Sequence, residues 1–226
     1  MANSTAPGAK NRNGMNTITA PTSGRHVWAG SNTSDAGLET TATFSLYLID
    51  KAVEAAKVTT TGSNPVPIRP LMVDGKPWFV AFLHPYQVTD LRTKTAATTN
   101  HPVLWYDIHT ALIKGGQRDN AIFSGALGEY NGVILHESQR MPLGVNSAGT
   151  ATVASTRRAV LCGAQAAVCG FGQGHDKSTY DWFEQLFDYG NKLGVKAGCI
   201  AGLKKTTYNS ADFATVVMSS RAAAHT

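Results

Sequence analysis

Residues 193–204 alternate strictly between apolar side chains and small or basic ones. Every odd position is apolar, whereas the even positions carry glycine or lysine, with Ile200 as the exception. This alternation predicts a β-strand with one buried face, roughly 40 Å long at ~3.3 Å per residue. Val195, Ala197, Cys199 and Ala201 are expected to point into a core. An ordinary sandwich strand has the same pattern, but so great a length suits an element that crosses a molecule.

The glycines of this stretch leave its second face nearly bare of side chains. Gly194, Gly198 and Gly202 would let another backbone approach closely, or let the strand bend. The sequence therefore predicts that a neighbouring element packs against the glycine face.

Length and charge restrict the class of protein. A chain of 226 residues forms one large domain or two small ones, and 42% hydrophobic with 15% charged residues is typical of a globular fold. The net charge of +5 suits a polyanionic partner. However, the basic residues are scattered, with doublets only at Arg157-Arg158 and Lys204-Lys205, so a mildly basic globular protein is favoured over a specific nucleic-acid reader.

The three cysteines, Cys162, Cys169 and Cys199, form no Cys-x-x-Cys motif and lie among apolar residues. They are expected to be small buried thiols in a reducing compartment. No apolar run is long enough to span a membrane, and the N-terminus has no apolar signal core.

Periodicity and turn signals predict a mixture of helices and strands without a regular βαβ repeat, which is the α+β class. Residues 1–43 are polar and resemble an N-terminal arm or flexible tail. Thr41 or Thr43 is expected to cap the first helix. The predicted elements are helix 44–58, hairpin 71–83 around Asp74-Gly75, helix 85–91, helix 103–114, strand 133–135, helix 157–169 and strand 213–219.

Candidate catalytic and metal-binding residues are few. Asp107-x-His109 and His136-Glu137 are the closest pairs of potential ligands, and neither has zinc spacing, so no metal or cofactor is expected. Cys162 or Ser124 with His136 would be the nucleophile and base of a small cytosolic hydrolase, without the usual nucleophile motif. Glycines 170, 172 and 174 follow a predicted helix rather than a strand, which favours a flexible connection over a phosphate loop.

Four blocks in order carry a family resemblance. They are KPWFVAFLHP at 76–85, IFSGALGEYNGVIL at 122–135, RAVLCGAQA at 158–166, and DYGN at 188–191 followed by GLKK at 202–205. Together they resemble the major capsid proteins of tailed bacteriophages, specifically the phage N4 coat protein family, which has the HK97-like coat fold.

This resemblance implies an architecture. Residues 44–75 and 193–226 would form a peripheral domain with a spine helix and long strands, residues 76–192 would form an axial α/β domain, and residues 1–43 would be the arm. Members of the family usually have more sequence before the spine helix, including an extended hairpin that laps a neighbour. The resemblance assigns that hairpin to no residues of this chain.

The resemblance also implies a function without catalytic, cofactor-binding or metal-binding residues. Copies of the chain would self-assemble as pentamers and hexamers into an icosahedral head shell around packaged double-stranded DNA, which they would touch non-specifically. Other head proteins are further expected partners, and membranes are not. The protein would be part of the virion and assemble in the cytoplasm of the bacterial host. The hydrolase and a basic nucleic-acid-binding module are the alternatives.

Overall fold

The computed structural model describes residues 20–58, 66–93, 126–146, 151–172 and 179–225. Two α-helices and fifteen strands lie within these ranges, which agrees with the predicted α+β class. Seven of the strands form one mixed sheet, and the other eight form four two-stranded pairs.

The helical elements are a 3-10 turn (Ser23–Arg25), α1 (Leu46–Lys57) and α2 (Pro85–Thr93). The strands are β1 (His26–Trp28), β2 (Leu71–Val73), β3 (Lys76–Leu83), β4 (Ala126–Tyr130), β5 (Val133–Glu137), β6 (Gly144–Val145), β7 (Thr152–Val153), β8 (Thr156–Cys162), β9 (Ala167–Phe171), β10 (Tyr180–Phe187), β11 (Lys192–Cys199), β12 (Ala201–Lys205), β13 (Thr207–Tyr208), β14 (Ala211–Asp212) and β15 (Thr215–Arg221).

The main sheet has the strand order β1-β15-β8-β3-β5-β4, and β2 pairs with β3. β8 is antiparallel to both of its neighbours, β15 and β3, whereas β1 is parallel to β15 and β5 is parallel to β3. Nearly every residue of β8 and β15 is buried, as expected for central strands covered on both faces. Both are interior strands of the sheet, each paired on two sides.

Helix α1 packs its apolar side onto this sheet. Leu48, Ile49, Ala52 and Ala56 are fully buried, and they recur at the spacing of one helical face. The N-cap is Ser45 rather than Thr41 or Thr43, and its side chain makes no capping hydrogen bond. The prediction of a helix is therefore confirmed, but the predicted cap is wrong.

Residues 20–43 lie against the same core. β1 joins the sheet edge beside β15, and Ala29, Leu38 and Ala42 are buried. Arg25 donates from its guanidinium to the carbonyl oxygens of Ala55 and Val66, so that it supplies a partner to a carbonyl of the last turn of α1.

The predicted hairpin at 71–83, the helix beginning at Pro85 and the strands at 133–135 and 213–219 correspond to β2–β3, α2, β5 and β15. Asp74 and Gly75 have positive φ angles of 49° and 76°, as a tight two-residue hairpin turn requires. The predicted helix at 103–114 lies outside the described residues.

The predicted helix at 157–169 is wrong, because this stretch forms β8, a turn and β9. A short alanine-rich apolar run does not distinguish a buried strand from a helix by periodicity. Strand pairing explains why residues 156–162 form a strand, because β8 is hydrogen-bonded to β15 on one side and to β3 on the other. Gly163 ends the strand where the backbone of Arg69 lies too close for a side chain.

The chain divides into two compact units, residues 1–166 with 206–226, and Ala167–Lys205. The first unit holds the main sheet. The proposed division into arm, peripheral and axial segments remains a prediction, and the main sheet contains strands from both of the latter two. Among the described residues, no helix is both long and apolar enough to cross a membrane.

The predicted long strand at 193–204 is two strands in the second unit, β11 and β12, interrupted at Ile200. β11 pairs with β10, and β12 pairs with β9. At the interruption the carbonyl of Ile200 accepts a hydrogen bond from Gly172, and the Ile200 side chain lies over that glycine. The prediction of one continuous strand is therefore wrong.

Candidate functional site

Strands β10 and β11 form a long two-stranded ribbon. Their antiparallel register is unbroken over eight residue pairs, from Tyr180 opposite Cys199 to Phe187 opposite Lys192. The chain reverses between them through Asp188, Tyr189 and Gly190, all with positive φ. At ~3.4 Å per residue the ribbon is roughly 27 Å long.

The register divides the ribbon into two unlike faces, because paired residues share a face and neighbours along a strand do not. We call them the apolar face and the polar face. The apolar face consists of Tyr180, Trp182, Glu184, Leu186, Leu193, Val195, Ala197 and Cys199. The polar face consists of Asp181, Phe183, Gln185, Phe187, Lys192, Gly194, Lys196 and Gly198.

The apolar face is exposed. The side chains of Trp182, Leu186 and Val195 retain 59%, 63% and 50% of their accessible surface, and Ala197 and Cys199 are exposed as well. The prediction that Val195, Ala197, Cys199 and Ala201 point into a core is therefore wrong for this chain alone. Scattered exposed apolar residues are normal, but a contiguous apolar face marks a contact surface.

The glycines expected to face a close neighbour behave differently from one another. A side chain at Gly194 would collide with the Phe187 ring, whereas one at Gly198 would meet only Lys196 at ordinary contact distance and one at Gly202 would meet nothing. The prediction of close packing is thus wrong at Gly198 and Gly202.

One acidic residue interrupts the apolar face. Glu184 lies opposite Val195 near the middle of the register, and Trp182 Nε1 donates a hydrogen bond of 2.7 Å to its carboxylate. Both ribbon lysines lie on the polar face, where Lys196 pairs with Asp181 at 2.7 Å and Lys192 with Asp188 at 3.5 Å. Within β10 and β11, Glu184 therefore has no basic neighbour on its own face.

The cysteines are less buried than the sequence predicted. Cys169 and Cys199 are exposed on β9 and β11, so the prediction of buried thiols is wrong for both. Cys162 is half-buried in β8, and burial raises the pKa of its thiol above the ordinary value. A raised pKa keeps this thiol protonated at neutral pH, which makes it a poor nucleophile.

The structure does not bring together the residues of the hydrolase alternative. Cys162 pairs with Val80 and His136 with Phe82, so the two candidates lie on opposite sides of β3. Two strand spacings separate them, about 10 Å, whereas a nucleophile and its base must be within hydrogen-bonding distance. Ser124 lies outside the described residues.

The candidate ligand pairs also fail to cluster. His136 and Glu137 are adjacent in β5 and therefore point to opposite faces of the sheet. Asp107 and His109 lie outside the described residues. In the part of the chain that the structure describes, no three His, Cys, Asp or Glu side chains are grouped as a metal ion would need.

A buried polar cluster around Asp35, which the sequence did not predict, connects β1 with β6 and β8. The Asp35 carboxylate accepts hydrogen bonds from Arg158 Nε at 2.8 Å, the Val145 amide at 2.9 Å and Trp28 Nε1 at 2.9 Å. Although burial opposes ionisation, Arg158 and the amide hold the pKa of Asp35 below its usual value. No short motif carries this cluster, since Asp35 and Arg158 alone are 123 residues apart.

The cluster places a histidine beside a serine and an aspartate, but not as a catalytic triad. His26 Nε2 lies 2.7 Å from Ser219 Oγ and 3.6 Å from Asp35 Oδ1, so the same ring nitrogen faces both. A proton relay needs the carboxylate on one ring nitrogen and the hydroxyl on the other. Ser219 is also completely buried, so a substrate has no access to it.

Comparison with known proteins identifies the family. A family model described as phage capsid protein matches residues 1–224. The chain belongs to this phage capsid protein family. No curated protein matches it.

Two solved capsid structures are similar to the chain. The capsid of Ralstonia phage GP4 is 31% identical with a TM-score of 0.70, over 93% of this chain and 56% of that one. The capsid asymmetric unit of cyanophage Pam1 is 20% identical with a TM-score of 0.60, over 89% of this chain and 55% of that one. The chain thus has a phage capsid fold and spans about half the length of these two relatives.

Proposed function

We propose that the protein is a major capsid protein whose copies self-assemble into the icosahedral head shell of a tailed bacteriophage. The observation that carries this proposal is the exposed apolar face of β10 and β11 in a chain of the phage capsid protein family. A family that builds shells requires surfaces that stay open until another copy covers them.

The ribbon itself supports this function. A two-stranded ribbon is marginal in water, because it buries too little apolar surface to offset the entropy lost on ordering. Aromatic side chains supply much of the apolar surface of this one, and aromatic residues dominate the buried centres of protein interfaces. Contact with a neighbouring copy would bury these side chains and stabilise the ribbon at the same time.

The arrangement of copies follows from the family. The subunits would form pentamers and hexamers, assembled in the bacterial cytoplasm and retained in the virion, with other head proteins as further partners. Packaged DNA would be touched non-specifically, since the net charge of +5 is spread along the chain rather than concentrated in one motif. Membership of the narrower N4 coat protein group, and the HK97-like assignment of α1 as spine helix, belong to the same proposal.

The geometry supports a structural protein without enzyme activity. The separation of Cys162 from His136 by β3 disfavours the hydrolase, and the raised pKa of the Cys162 thiol disfavours it further.

The size of the purified protein tests the proposal. We expect sedimentation and negative-stain electron microscopy of the wild-type protein to reveal closed shells of megadalton mass. A protein that remains a monomer or small oligomer at every concentration and salt condition would contradict the proposal and favour the two alternatives.

A further inference from the structure

We infer that Glu184 determines how neighbouring copies dock, by pairing with a basic side chain that a second copy brings onto the apolar face. This inference rests on the proposed function and specifies the chemistry of the surface that covers the ribbon. It follows from the position of one carboxylate and from the positions of the ribbon lysines.

Covering Glu184 is costly. It lies near the middle of the apolar face, between the pairs formed by Trp182 with Ala197 and by Leu186 with Leu193. Any surface that covers these apolar side chains also removes the carboxylate from water. A buried carboxylate without a charged or strongly hydrogen-bonding partner is much more costly than a buried apolar group.

The ribbon cannot supply the positive charge that Glu184 needs. Trp182 Nε1 gives Glu184 one neutral hydrogen bond on Oε1. Lys192 and Lys196 are on the opposite face, and each already lies within 4 Å of a ribbon carboxylate. The compensating cation must therefore come from the covering surface.

Another copy of this chain fits as the covering surface. The chain carries a surplus of basic residues, and Lys57, Arg69 and Arg140 in the first unit are exposed. A copy of the same chain therefore offers the positive charge that the apolar face lacks, and a shell places copies side by side at high local concentration. Charge pairing of this kind selects one docking register, because misaligned copies leave the carboxylate uncompensated.

Charge variants at residue 184 test the inference. We expect Glu184→Lys to reduce the assembled fraction at least tenfold in sedimentation, because like charges would then meet in the covered face. Glu184→Gln should give a smaller loss. Gln185→Lys is the control, because it adds a positive charge to the polar face of the same ribbon without removing a partner of Lys192 or Lys196, and it should assemble as the wild type does.

Thermal melting of the unassembled subunits separates docking from folding. Because Glu184 is exposed in the subunit, its variants should melt as the wild type does. Restored assembly of Glu184→Lys by one Lys→Glu or Arg→Glu change elsewhere in the chain would support the inference and identify the partner residue. Rescue would be sought first at Lys57, Arg69 and Arg140.

Two results would overturn the inference while leaving the proposed function intact. They are normal shells from Glu184→Lys, or equal loss of assembly in Glu184→Lys and Gln185→Lys. Absence of shells in the wild type itself would instead overturn the proposed function, and the inference with it.

Discussion

The Asp35 side chain is buried, and its carboxylate is compensated by hydrogen bonds and an ion pair. Arg158 of β8, Val145 of β6 and Trp28 of β1 all donate to its carboxylate. Removing one partner of such a buried pair leaves the other charge uncompensated. Asp35 therefore fixes the segment before α1 to the sheet.

We expect Asp35→Ala to lower the free energy of unfolding by about 3–5 kcal/mol, because the Arg158 guanidinium would remain buried without its carboxylate. Chemical denaturation of the purified subunit measures the change. Lys192→Ala is the matched control, since it breaks an exposed pair and should cost at most about 1 kcal/mol. Equal effects of the two changes would show that Asp35 is not held as described.

The same cluster predicts a dependence of stability on pH. Burial, chiefly, lowers the pKa of His26 to about 4, because Asp35 only partly offsets the effect of burial and of Arg158. His84 also has a pKa of about 4, through burial and Arg157. Between pH 6.5 and pH 4 the unfolded chain therefore binds more protons than the folded one, and stability falls as the pH falls through this window.

For His26 alone the loss across this window is on the order of 3 kcal/mol. Thermal melting at half-unit pH steps measures it. His26→Gln, which does not titrate, should reduce the slope without abolishing it, because His84 contributes in the same direction. An unchanged slope in this variant would contradict the assignment.

At the scale of elements, the turn after β8 depends on a missing side chain. A Cβ at Gly163 would meet the Ile68 side chain and would lie 2.6 Å from the Arg69 carbonyl oxygen. The same carbonyl accepts the Ala164 amide at 2.8 Å, so it has little freedom to move. The junction between β8 and the segment before β2 is therefore closely packed.

We expect Gly163→Ala to destabilise the subunit by about 1–3 kcal/mol through overpacking. Gly170→Ala is the control, because a Cβ there meets nothing within 4 Å. That change should be neutral or stabilise β9 by at most ~1 kcal/mol, since glycine weakens a strand. Circular dichroism melts of the two variants would distinguish them, and equal melting temperatures would exclude the close contact.

The sequence predicted those elements whose local signals agree with their final environment. The stripe of α1 and the Asp74-Gly75 turn are local signals, and both were sufficient. At β8 the pairing partners come from β3 and β15, which are distant in the chain, and an alanine-rich run alone favoured a helix. A short stretch of sequence does not show which distant strands it will pair with.

The alternation at 193–204 shows a different limit of sequence reasoning. It correctly indicated a strand with one apolar face in β11, where the odd residues share a face. It could not show that the described part of the chain leaves this face uncovered. Nor did the sequence show the candidate site, since Glu184 becomes distinctive only when the β10–β11 register places it among apolar residues.

For the whole molecule, the native cysteines report on assembly. Cys199 lies on the apolar face and is exposed in the subunit, whereas Cys162 is half-buried. We expect a thiol reagent to label Cys199 rapidly in unassembled subunits and at least tenfold more slowly in shells, because a second copy would cover it. Cys162 should react slowly in both states.

Mass spectrometry of alkylated peptides measures both rates in the same sample, with Cys162 as the internal control. Rapid labelling of Cys199 in intact shells would show that the apolar face stays open to water, which would exclude this face as a contact between copies.

Along the chain, the second compact unit lies between two strands that are neighbours in the main sheet. It begins at Ala167 and ends at Lys205, and these two residues pair with each other. β8 and β15, which precede and follow it, are themselves neighbours in the sheet, with Cys162 opposite Thr215. The whole unit is therefore part of one long connection between the adjacent antiparallel strands β8 and β15. A change in the length of this unit would therefore leave the pairing of β8 with β15, and with it the main sheet, in place.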